Sequence, residues 1–525
     1  MKILISDPLS EEGIKILRDR GLAFDLKPKL SPEELKSIIS EYDALIIRSG
    51  TKVTAEIIKA TKNLKVIGRA GVGVDNVDVD AATQKGIVVM NTPGGNTIST
   101  AEHTVSMLLA LNRNIPQANI SLKQGQWERK KFQGKELSKK TLGIIGLGRI
   151  GFEVAKRVQS FGMKVIAYDP FLSTKKAQQV DIELVELDEL FKRSDYLTVH
   201  TPLSDETRHM IGKSQFDQMK KGVKILNCAR GGIVDEKALY EAIKNGVVSG
   251  AALDVFEQEP PVDNPLIGLD SVIATPHLGA STDEAQVNVA VEIAQQVADI
   301  LEGKGIRNAV NYPCIEGETC TILEPYMRLA EKLGSLQAQI ITGHINKVSI
   351  KYGGEIVGQE VAPITVALIK GLLTPILQES INFVNAPFIA KERGIAVSET
   401  KILETEEFAN LIGVEVETDQ GKTFVAGTLF SKNNPRIVRI NEFYIDSIPE
   451  GYMIITHNHD KPGIVGEIGT ILGENNINIG AMNFGRTAPG GESLVVLNVD
   501  GNVSREILEK IKNSENVLDI KLIKL

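Results

Sequence analysis

The segment that decides the fold reads Thr141-Leu-Gly-Ile-Ile-Gly146-Leu-Gly148-Arg149-Ile150-Gly151. An apolar run at 142–145 predicts a buried strand before the glycines, and the pattern at 152–160 predicts a helix after them. In such a unit Gly146 makes the turn, Gly148 lets the backbone approach a pyrophosphate, and Gly151 allows close packing of the helix on the strand. The pyrophosphate lies at the positive end of the helix. The segment therefore predicts a Rossmann-type dinucleotide site.

An acidic residue follows the glycines at a suitable distance. The next predicted strand, 164–168, ends at Asp169, close to the roughly 20 residues expected between the glycines and a ribose-binding acid. A carboxylate at this place accepts hydrogen bonds from the adenosine ribose hydroxyls and repels a 2′-phosphate, which favours NAD over NADP. The alternative is a glycine-rich turn that binds nothing. The agreement of strand, glycines, helix and acid argues against that alternative.

The composition is that of a globular protein with several domains. The chain has 525 residues, of which 42% are hydrophobic and 24% charged, and this length predicts about three or four domains. The net charge of −8 gives no bulk reason to bind nucleic acid or an anionic membrane. The three cysteines have no C-x-x-C spacing, so we expect a cytoplasmic location, no disulfide scaffold and no metal site. No apolar run approaches the ~20 residues of a membrane span.

Strand and helix patterns predict an α/β chain of four domains. Short apolar runs alternate with helical patterns over the first ninety residues, which predicts a parallel sheet of flavodoxin-like type. A long helical pattern at 282–302 returns the chain to this unit, so we expect a discontinuous substrate domain at 1–98 and 285–313. The NAD-binding domain, 99–284, is inserted in it. An α+β intervening domain is expected at 314–450, and a ferredoxin-like unit with the order strand–helix–strand–strand–helix–strand at 451–525.

Three residues with catalytic chemistry follow predicted strands of the second domain. Arg230 stands in Asn227-Cys-Ala-Arg-Gly-Gly, Glu259 precedes Pro-Pro, and His277 stands in Thr275-Pro-His-Leu-Gly. Ligands of open α/β sheets bind beyond the carboxyl ends of the strands, so these residues should converge on the dinucleotide crevice. A neutral imidazole can take a hydroxyl proton, a carboxylate can orient that imidazole, and a guanidinium can hold a carboxylate bidentately. Each residue alone has an ordinary structural explanation; the triplet beside the glycine loop favours hydride-transfer chemistry.

These motifs resemble those of the D-isomer-specific 2-hydroxyacid dehydrogenases. Asn227-Cys-Ala-Arg-Gly-Gly, Asp254-Val-Phe and Pro276-His-Leu-Gly match the family signatures, with Arg230, Glu259 and His277 in its three catalytic places. The likeness covers the whole chain and is strongest to the long branch that oxidises D-3-phosphoglycerate with NAD at the start of serine biosynthesis. The sequence departs from the family pattern at Val72, where Thr is more usual, and at Gly94, where Asn is more usual.

The resemblance also implies the ligand contacts. Besides the glycines and Asp169, it implies cofactor contacts at Arg149, Ile150, Thr201, Cys228, Ala229, Arg230, Asp254, His277, Gly279 and Ala280. The implied substrate contacts are Arg48, Arg69, Asn96 and Arg129. A solvated face is the alternative for the basic run 129–131, and a packing role is the favoured interpretation of Cys228 as a thiol and of His103 and His200.

The last domain resembles the ACT domain, which binds an amino acid between paired copies. The resemblance places Asn458, Asp460 and Asn478 where feedback-inhibited relatives hold L-serine, and we expect these residues to cluster. It also implies a homotetramer. The alternative is a plain dimerisation domain. In the intervening domain, Arg436 and Arg439 are weaker candidates for an anionic effector.

Two other functions fit parts of the sequence. The chain could be a sister enzyme that reduces glyoxylate or another 2-oxo acid, but the two C-terminal regions argue against it because simple reductases of this family end near Pro313. It could also be an NAD-sensing corepressor, which the intact set of Arg230, Glu259 and His277 argues against. A panel of hydroxy acids assayed with NAD distinguishes the three.

Overall fold

The structure is a computed structural model that describes residues 1–172, 177, 180–313, 318–377, 381–403, 408–431 and 433–525, with only the backbone at 318–321. Cys314 and the expected start of the intervening domain therefore lie outside the described residues. In this part of the chain four sheets follow one another, and helices pack on them. No described helix is both long and apolar enough to cross a bilayer.

The first sheet has five parallel strands in the order β2-β1-β3-β4-β5, which is the flavodoxin-like order. The strands are β1 Lys2–Ile5, β2 Ala23–Leu26, β3 Ala44–Ile47, β4 Val66–Arg69 and β5 Val88–Met90. The helices are Glu11–Asp19, Pro32–Ile38, Ala55–Ala60 and Val79–Gln84, with a 3-10 turn at Ile39–Glu41. The sequence did not predict β2, because its side chains at the sheet edge are only partly buried and carry no clear pattern.

The second sheet has seven parallel strands in the order β12-β11-β10-β9-β6-β7-β8. The strand order reverses between β6 and β9, so the crevice beyond their carboxyl ends is the expected ligand site. The strands are β6 Thr141–Ile145, β7 Lys164–Tyr168, β8 Glu183–Leu184, β9 Tyr196–Val199, β10 Val223–Asn227, β11 Val248–Leu253 and β12 Val272–Ala274. The described helices are Thr97–Arg113, Ile115–Lys123, Arg149–Gln159, Leu187–Arg193, Lys213–Phe216 and Glu236–Lys244.

The helix Asp283–Leu301 returns the chain from the second sheet to the first. Thr282 caps it by accepting a hydrogen bond from the backbone N–H of Ala285. Its apolar face packs so closely on β4 that a Cβ on Gly68 would lie 2.7 Å from Val297. The segment after it runs beside β5, where Asn311 Oδ1 accepts from the backbone N–H of Val89 at 2.9 Å. The first sheet is thus completed by residues far along the chain.

The third sheet has six strands in the order β14-β13-β15-β16-β17-β18, parallel only between β13 and β14. The strands are β13 Ile345–Gly354, β14 Ala396–Ile402, β15 Asn410–Thr418, β16 Gly421–Phe430, β17 Asn434–Ile440 and β18 Phe443–Ser447. The helices are Glu318–Ile340, Ala362–Leu373 and Ala386–Glu392, with a 3-10 turn at Glu355–Gly358. This unit contacts the first sheet's unit where Asn382 Nδ2 donates to Gly86 O at 2.9 Å.

The fourth sheet is antiparallel, in the order β20-β21-β19-β22. Its elements are β19 Tyr452–His459, the helix Ile464–Glu474, β20 Ile479–Arg486, β21 Glu492–Val499, the helix Arg505–Lys512 and β22 Val517–Lys524. This confirms the predicted ferredoxin-like order. Apolar side chains on one face of the sheet, among them Met453, Val496 and Ile523, join the buried core of the third unit.

Candidate active site

The glycine loop has the geometry of a dinucleotide site. Gly146 has a φ of +89°, and a Cβ on Gly151 would lie 2.2 Å from the carbonyl oxygen of Gly146, so both places require glycine. Gly148 caps the helix Arg149–Gln159 and has open space where a Cβ would stand. The helix N-terminus therefore offers its unpaired N–H groups to a ligand.

A cavity of about 590 Å³ lies beside this loop. Asp169 lines it, and its carboxylate accepts from the backbone N–H of Leu147 and of Phe171, both at 2.9 Å. These bonds fix the carboxylate and connect it to the glycine loop. Phe171 is 97% exposed and also faces the cavity, as does Thr97; sequence reasoning missed both. Phe171 could have been found from the sequence, because it is a large apolar residue only two positions after Asp169.

A second cavity, of about 550 Å³, lies at the carboxyl ends of β9 to β12 and faces loops of the first sheet. It brings together eleven residues named from the sequence: Asn96, Arg149, Ile150, Thr201, Cys228, Ala229, Arg230, Asp254, His277, Gly279 and Ala280. Arg149 lines both cavities, so the two are neighbours along the glycine loop. The loop that contains Val72 and Asp75 closes the cavity from the side of the first sheet.

His277 and Glu259 form a hydrogen-bonded pair, with His277 Nδ1 at 2.9 Å from Glu259 Oε2. The other carboxylate oxygen accepts from the backbone N–H of Phe256, which holds Glu259 in place. The hydrogen bond to Glu259 raises the pKa of His277 despite partial burial of the ring. Burial raises the pKa of Glu259, but the hydrogen bond and charge of His277, together with the hydrogen bond from the backbone of Phe256, lower it by more, so the net shift is downward. The pair therefore holds a proton on Nδ1 and leaves Nε2 for a ligand.

Arg230 reaches across the cleft to the first sheet's unit, where its Nε donates to Asp75 Oδ2 at 3.2 Å. Arg69 lies within electrostatic range of Arg230 and of Arg48. Burial, together with the charge of Arg230, lowers the pKa of Arg69 to about 10, and its Nε has no hydrogen-bond partner among the described residues. Of the three guanidinium groups only Arg230 lines the cavity, but the mutual charge effects show that the three lie near one another, which suits a small anion with more than one charge.

Two more polar atoms in the second cavity have no partner among the described residues. They are Asn96 Oδ1 and Thr201 Oγ1, and both are buried. Buried polar atoms are seldom left without hydrogen bonds, so a polar ligand suits this place. Together with the open space at Gly148, this fits the nicotinamide and pyrophosphate parts of a dinucleotide.

Three of the predicted substrate contacts, Arg48, Arg69 and Arg129, line neither cavity. Arg129 lies in an exposed turn that begins at Glu128 and follows the helix Ile115–Lys123. Its contact with the substrate therefore stays a prediction.

Three residues for which the sequence favours a packing role, Cys228, His200 and His103, have different surroundings. Cys228 is buried, and burial raises the pKa of its thiol to about 12, so it is no nucleophile. His200 is also buried, which lowers its pKa to about 4. His103 is not merely packed, because its Nε2 lies 3.2 Å from Asp254 Oδ1.

The three residues expected to hold serine are not together within one chain. Asn458 is buried and donates to Thr456, and Asp460 accepts from the backbone N–H of Gly490 at 2.9 Å. Asn478 bonds Asp500 instead, at 2.8 Å. β19 and β20 run in the same direction, since both are antiparallel to β21, so Asn458 near the end of β19 pairs with Ser493, whereas Asn478 precedes the end of β20 that pairs with Val499. Six residues of strand, about 20 Å, separate the two ends.

The candidate effector residues of the third sheet have partners within the chain. Arg436 Nε lies 3.1 Å from Asp446 Oδ1. Arg439 donates to the carbonyl oxygen of Asn441 and stacks between the rings of Phe424 and Tyr444. An anion would therefore have to compete with these contacts.

Comparison with known proteins matches three family models to separate parts of the chain. They are the D-isomer specific 2-hydroxyacid dehydrogenase NAD binding domain at 105–279, the D-3-phosphoglycerate dehydrogenase intervening domain at 322–441 and the ACT domain at 452–516. Among solved structures, the TT0316 protein of Thermus thermophilus is 35% identical with a TM-score of 0.55 and covers 59% of this chain and 100% of its own. A D-lactate dehydrogenase of Aquifex aeolicus, complexed with NAD and lactic acid, is 30% identical with a TM-score of 0.53, over 58% and 96%.

Full-length relatives show the same relationship. The D-3-phosphoglycerate dehydrogenases of Archaeoglobus fulgidus and Methanocaldococcus jannaschii are each 49% identical over all of this chain and all of their own length. That of Bacillus subtilis is 44% identical over all of this chain and 99% of its own. The chain therefore belongs to the D-3-phosphoglycerate dehydrogenase family, within the D-isomer-specific 2-hydroxyacid dehydrogenases.

Proposed function

We propose that this chain oxidises D-3-phosphoglycerate to 3-phosphohydroxypyruvate with NAD, the first step of L-serine biosynthesis. The observation that carries the proposal is the His277–Glu259 pair, which shares one cavity with Arg230 beside the glycine loop. The matched intervening and ACT domains separate the chain from the short reductases of the family. These matches also support our proposed division of the chain into four domains. They are the substrate domain at 1–98 and 285–313, the NAD-binding domain at 99–284, the intervening domain at 314–450 and the ACT domain at 451–525.

The cofactor is held by the glycine loop and Asp169. The open N-terminus of the helix Arg149–Gln159 receives the pyrophosphate, and Asp169 binds the ribose hydroxyls. Thr201 and Ala280, which line the second cavity, would hold the nicotinamide. When bound, NAD supplies the acceptor for the hydride that leaves C2 of the hydroxy acid.

His277 does the proton chemistry. Its neutral Nε2 accepts the proton of the substrate hydroxyl as the C2–H bond breaks and the C2–O bond becomes a carbonyl. Glu259 keeps the other ring nitrogen protonated and stabilises the imidazolium that forms, because its carboxylate accepts from Nδ1. In the reverse direction the imidazolium returns the proton.

Cations at one end of the cleft hold the substrate anions. Arg230 is placed to bind the carboxylate, for which it exchanges its contact with Asp75. Arg48 and Arg69 are placed to bind the phosphate, and Asn96 Oδ1 is free to accept from the substrate among the described residues. This pattern suits a hydroxy acid with a second anionic group and disfavours D-lactate, which has none.

We further propose that the chain forms a homo-oligomer, which we expect to be a tetramer, and that it is cytoplasmic. The oligomer is supported by large apolar side chains exposed near the turn of Arg129, namely Ile115, Ile120, Leu122 and Trp127, the last 76% exposed. Because Arg129 lies beside this surface, we propose that it serves the cleft of a neighbouring subunit. The cytoplasmic location is supported by the few cysteines.

L-serine is the proposed effector of the ACT domain. Asn458 Oδ1 is buried without a partner among the described residues, and amide and carboxylate groups suit an ammonium and a hydroxyl. Because Asn478 lies at the other end of the sheet, a site that uses all three residues needs a second copy. Serine bound there would act through the orientation of domains.

A panel of substrates assayed with NAD and NADP tests the proposal. D-3-phosphoglycerate, D-glycerate, D-lactate and glyoxylate are compared by kcat/KM, in the direction that each allows, with analytical ultracentrifugation for the oligomer. We expect D-3-phosphoglycerate with NAD to be preferred and a tetramer to be found. A preference for D-lactate or glyoxylate would make the chain a sister reductase, and binding of NAD without turnover on any substrate would favour the corepressor.

A further inference from the structure

The helix Thr97–Arg113 lies along the loop that carries His277 and contacts it at successive turns. Ser99 Oγ lies 2.6 Å from Thr282 Oγ1, and Thr100 Oγ1 donates to the carbonyl oxygen of Gly279 at 3.1 Å. His103 follows one turn later, so its side chain is on the same face of the helix. This face of the helix therefore contacts the His277 loop both after His277, at Gly279 and Thr282, and before it, at Thr275.

Asp254 is the centre of these contacts. Its carboxylate is 1% exposed and accepts from the backbone N–H groups of Leu278 at 2.7 Å and Gly279 at 2.8 Å, directly after His277. Thr275 Oγ1, two residues before His277, donates to it at 2.6 Å. His277 itself has a φ of +55°, a conformation that a side chain other than glycine adopts rarely. The loop therefore needs Asp254 to hold this shape.

His103 supplies the remaining contact. Its Nε2 lies 3.2 Å from Asp254 Oδ1 and 3.2 Å from Thr275 Oγ1. An ionised carboxylate only accepts hydrogen bonds, and Thr275 already donates its hydroxyl to it, so Nε2 of His103 must carry the hydrogen. His103 lines neither of the two cavities described above, and it reaches the cleft through Asp254, which does line the second cavity.

We propose that His103 is a positioning residue of the dehydrogenase reaction, which acts by donating to Asp254 and so keeps the His277 loop in the conformation that pairs His277 with Glu259. This inference rests on the proposed function. Without the donor, the buried carboxylate keeps three contacts but loses the one that ties it to the helix. The loop then leaves its strained conformation more often, and the bond between His277 and Glu259 is formed for less of the time.

Loss of the His103 donor should change the pKa of His277. The charged groups that face His277 are Glu259, Asp254 and Arg230, and the bond to Glu259 is the main reason that its pKa is raised. Asp254 is the charged group that faces His103 among the described residues. Loss of the His103 donor weakens the Glu259 bond and lowers the pKa of His277 toward its ordinary value. A side chain that merely fills space at 103 would not change it.

Three forms of the full chain test this: wild type, His103→Leu, which removes the donor, and His103→Gln, whose amide can donate in its place. We expect kcat for phosphoglycerate oxidation to fall about tenfold in His103→Leu, the effect of losing one hydrogen bond to a charged group. The Kd for NAD should change less than about threefold. His103→Gln should recover most of kcat.

The pKa of His277 is measured in the same proteins without substrate, by NMR of the imidazole groups, which is practical because the chain has 7 histidines. We expect a lower pKa in His103→Leu and a wild-type value in His103→Gln. Unchanged kcat and pKa in His103→Leu, or equal losses in both variants, would overturn the inference. A wild type that does not turn over phosphoglycerate would instead overturn the proposed function, and the NMR result would still decide the role of His103.

Discussion

The catalytic cleft and the ACT domain were both predicted as clusters of residues far apart in sequence, and only the cleft is assembled by one chain. Arg230, Asp254 and His277 follow three neighbouring parallel strands, so their side chains meet at one edge of the sheet. Asn458 lies at the end of β19 and Asn478 precedes β20, and these two strands run in the same direction because both are antiparallel to β21, so the two residues lie at opposite ends of the sheet. The difference teaches that residues from separate strands meet when each of them follows a strand of the same direction. A site that combines the end of one strand with the start of another strand of that direction needs a second copy.

The largest expected effect concerns the residue that the parallel sheet places at the reacting atoms. His277→Ala should lower kcat for D-3-phosphoglycerate oxidation by roughly 10²–10⁴-fold, because the reaction loses its proton acceptor. NAD binding, measured by titration calorimetry, should survive. Glu259→Gln is the matched control, since it keeps the shape of the pair and should cost less. Turnover near the wild-type value in His277→Ala would show that the cleft works in another way.

The second effect concerns the antiparallel sheet. Added L-serine should lower wild-type activity without competition from phosphoglycerate, by a factor in the range of about 5–150 that is typical of coupled sites. Asp460→Ala should stay active and lose this response. The control is Asp500→Ala, which removes the partner of Asn478 and leaves Asp460 intact. No response of the wild type to serine would make the domain a dimeriser or the site of another ligand.

A smaller effect tests the cofactor pocket beside the parallel sheet. Asp169→Ala should weaken NAD use about tenfold or more, since hydrogen bonds to a charged group contribute roughly 1.5–3 kcal/mol. It should also narrow the preference for NAD over NADP, because the repulsion of a 2′-phosphate is removed. The measurement is kcat/KM for both cofactors. If their ratio is unchanged, Asp169 only supports the glycine loop through Leu147 and Phe171.

The smallest effect is a displacement of the pH profile. His277 must be neutral to accept a proton, and its pKa is raised by Glu259, so on acidification kcat/KM for oxidation should begin to fall at a pH above the ordinary pKa of an imidazole. In Glu259→Gln the pKa of His277 drops and the fall should move to lower pH. The reverse reaction, reduction of the keto acid, needs the imidazolium, so its kcat/KM should fall as the pH is raised through the pKa of His277. An acid limb that does not move between these proteins would exclude His277 as the titrating group.

The sequence predicts best those strands of the first two sheets that are buried. The buried strands of the first two sheets have continuous apolar runs, and the sequence predicts all of them. It misses β2 and β8, since the first is only partly buried and the second has two residues. It also misses β14, whose side chains are almost all exposed, and the more buried strand β15 of the same sheet.

The candidate site shows the same limits at the level of single residues. Residues that follow parallel strands are found from spacing alone, because each strand end lies at the same edge. Arg129 and Asn478 lie apart from the other predicted contacts of their sites within one chain, since Arg129 is on an exposed turn and Asn478 precedes its strand instead of following it. The contact of His103 with Asp254 had no signal in the sequence, because helix packing brings together residues 151 positions apart without any local pattern.

Subunit complementation tests the central contrast most directly, because it asks which site is complete within one chain. Chains with Arg230→Ala are mixed with chains with His277→Ala, and in parallel chains with Asp460→Ala are mixed with chains with Asn478→Ala, each pair being allowed to co-assemble. We predict that the first mixture stays inactive, since each cleft takes both residues from one chain, and that the second mixture regains L-serine inhibition at the pairs that join one intact half from each chain. Activity restored in the first mixture, or no serine response in a second mixture whose wild-type parent responds, would contradict the account.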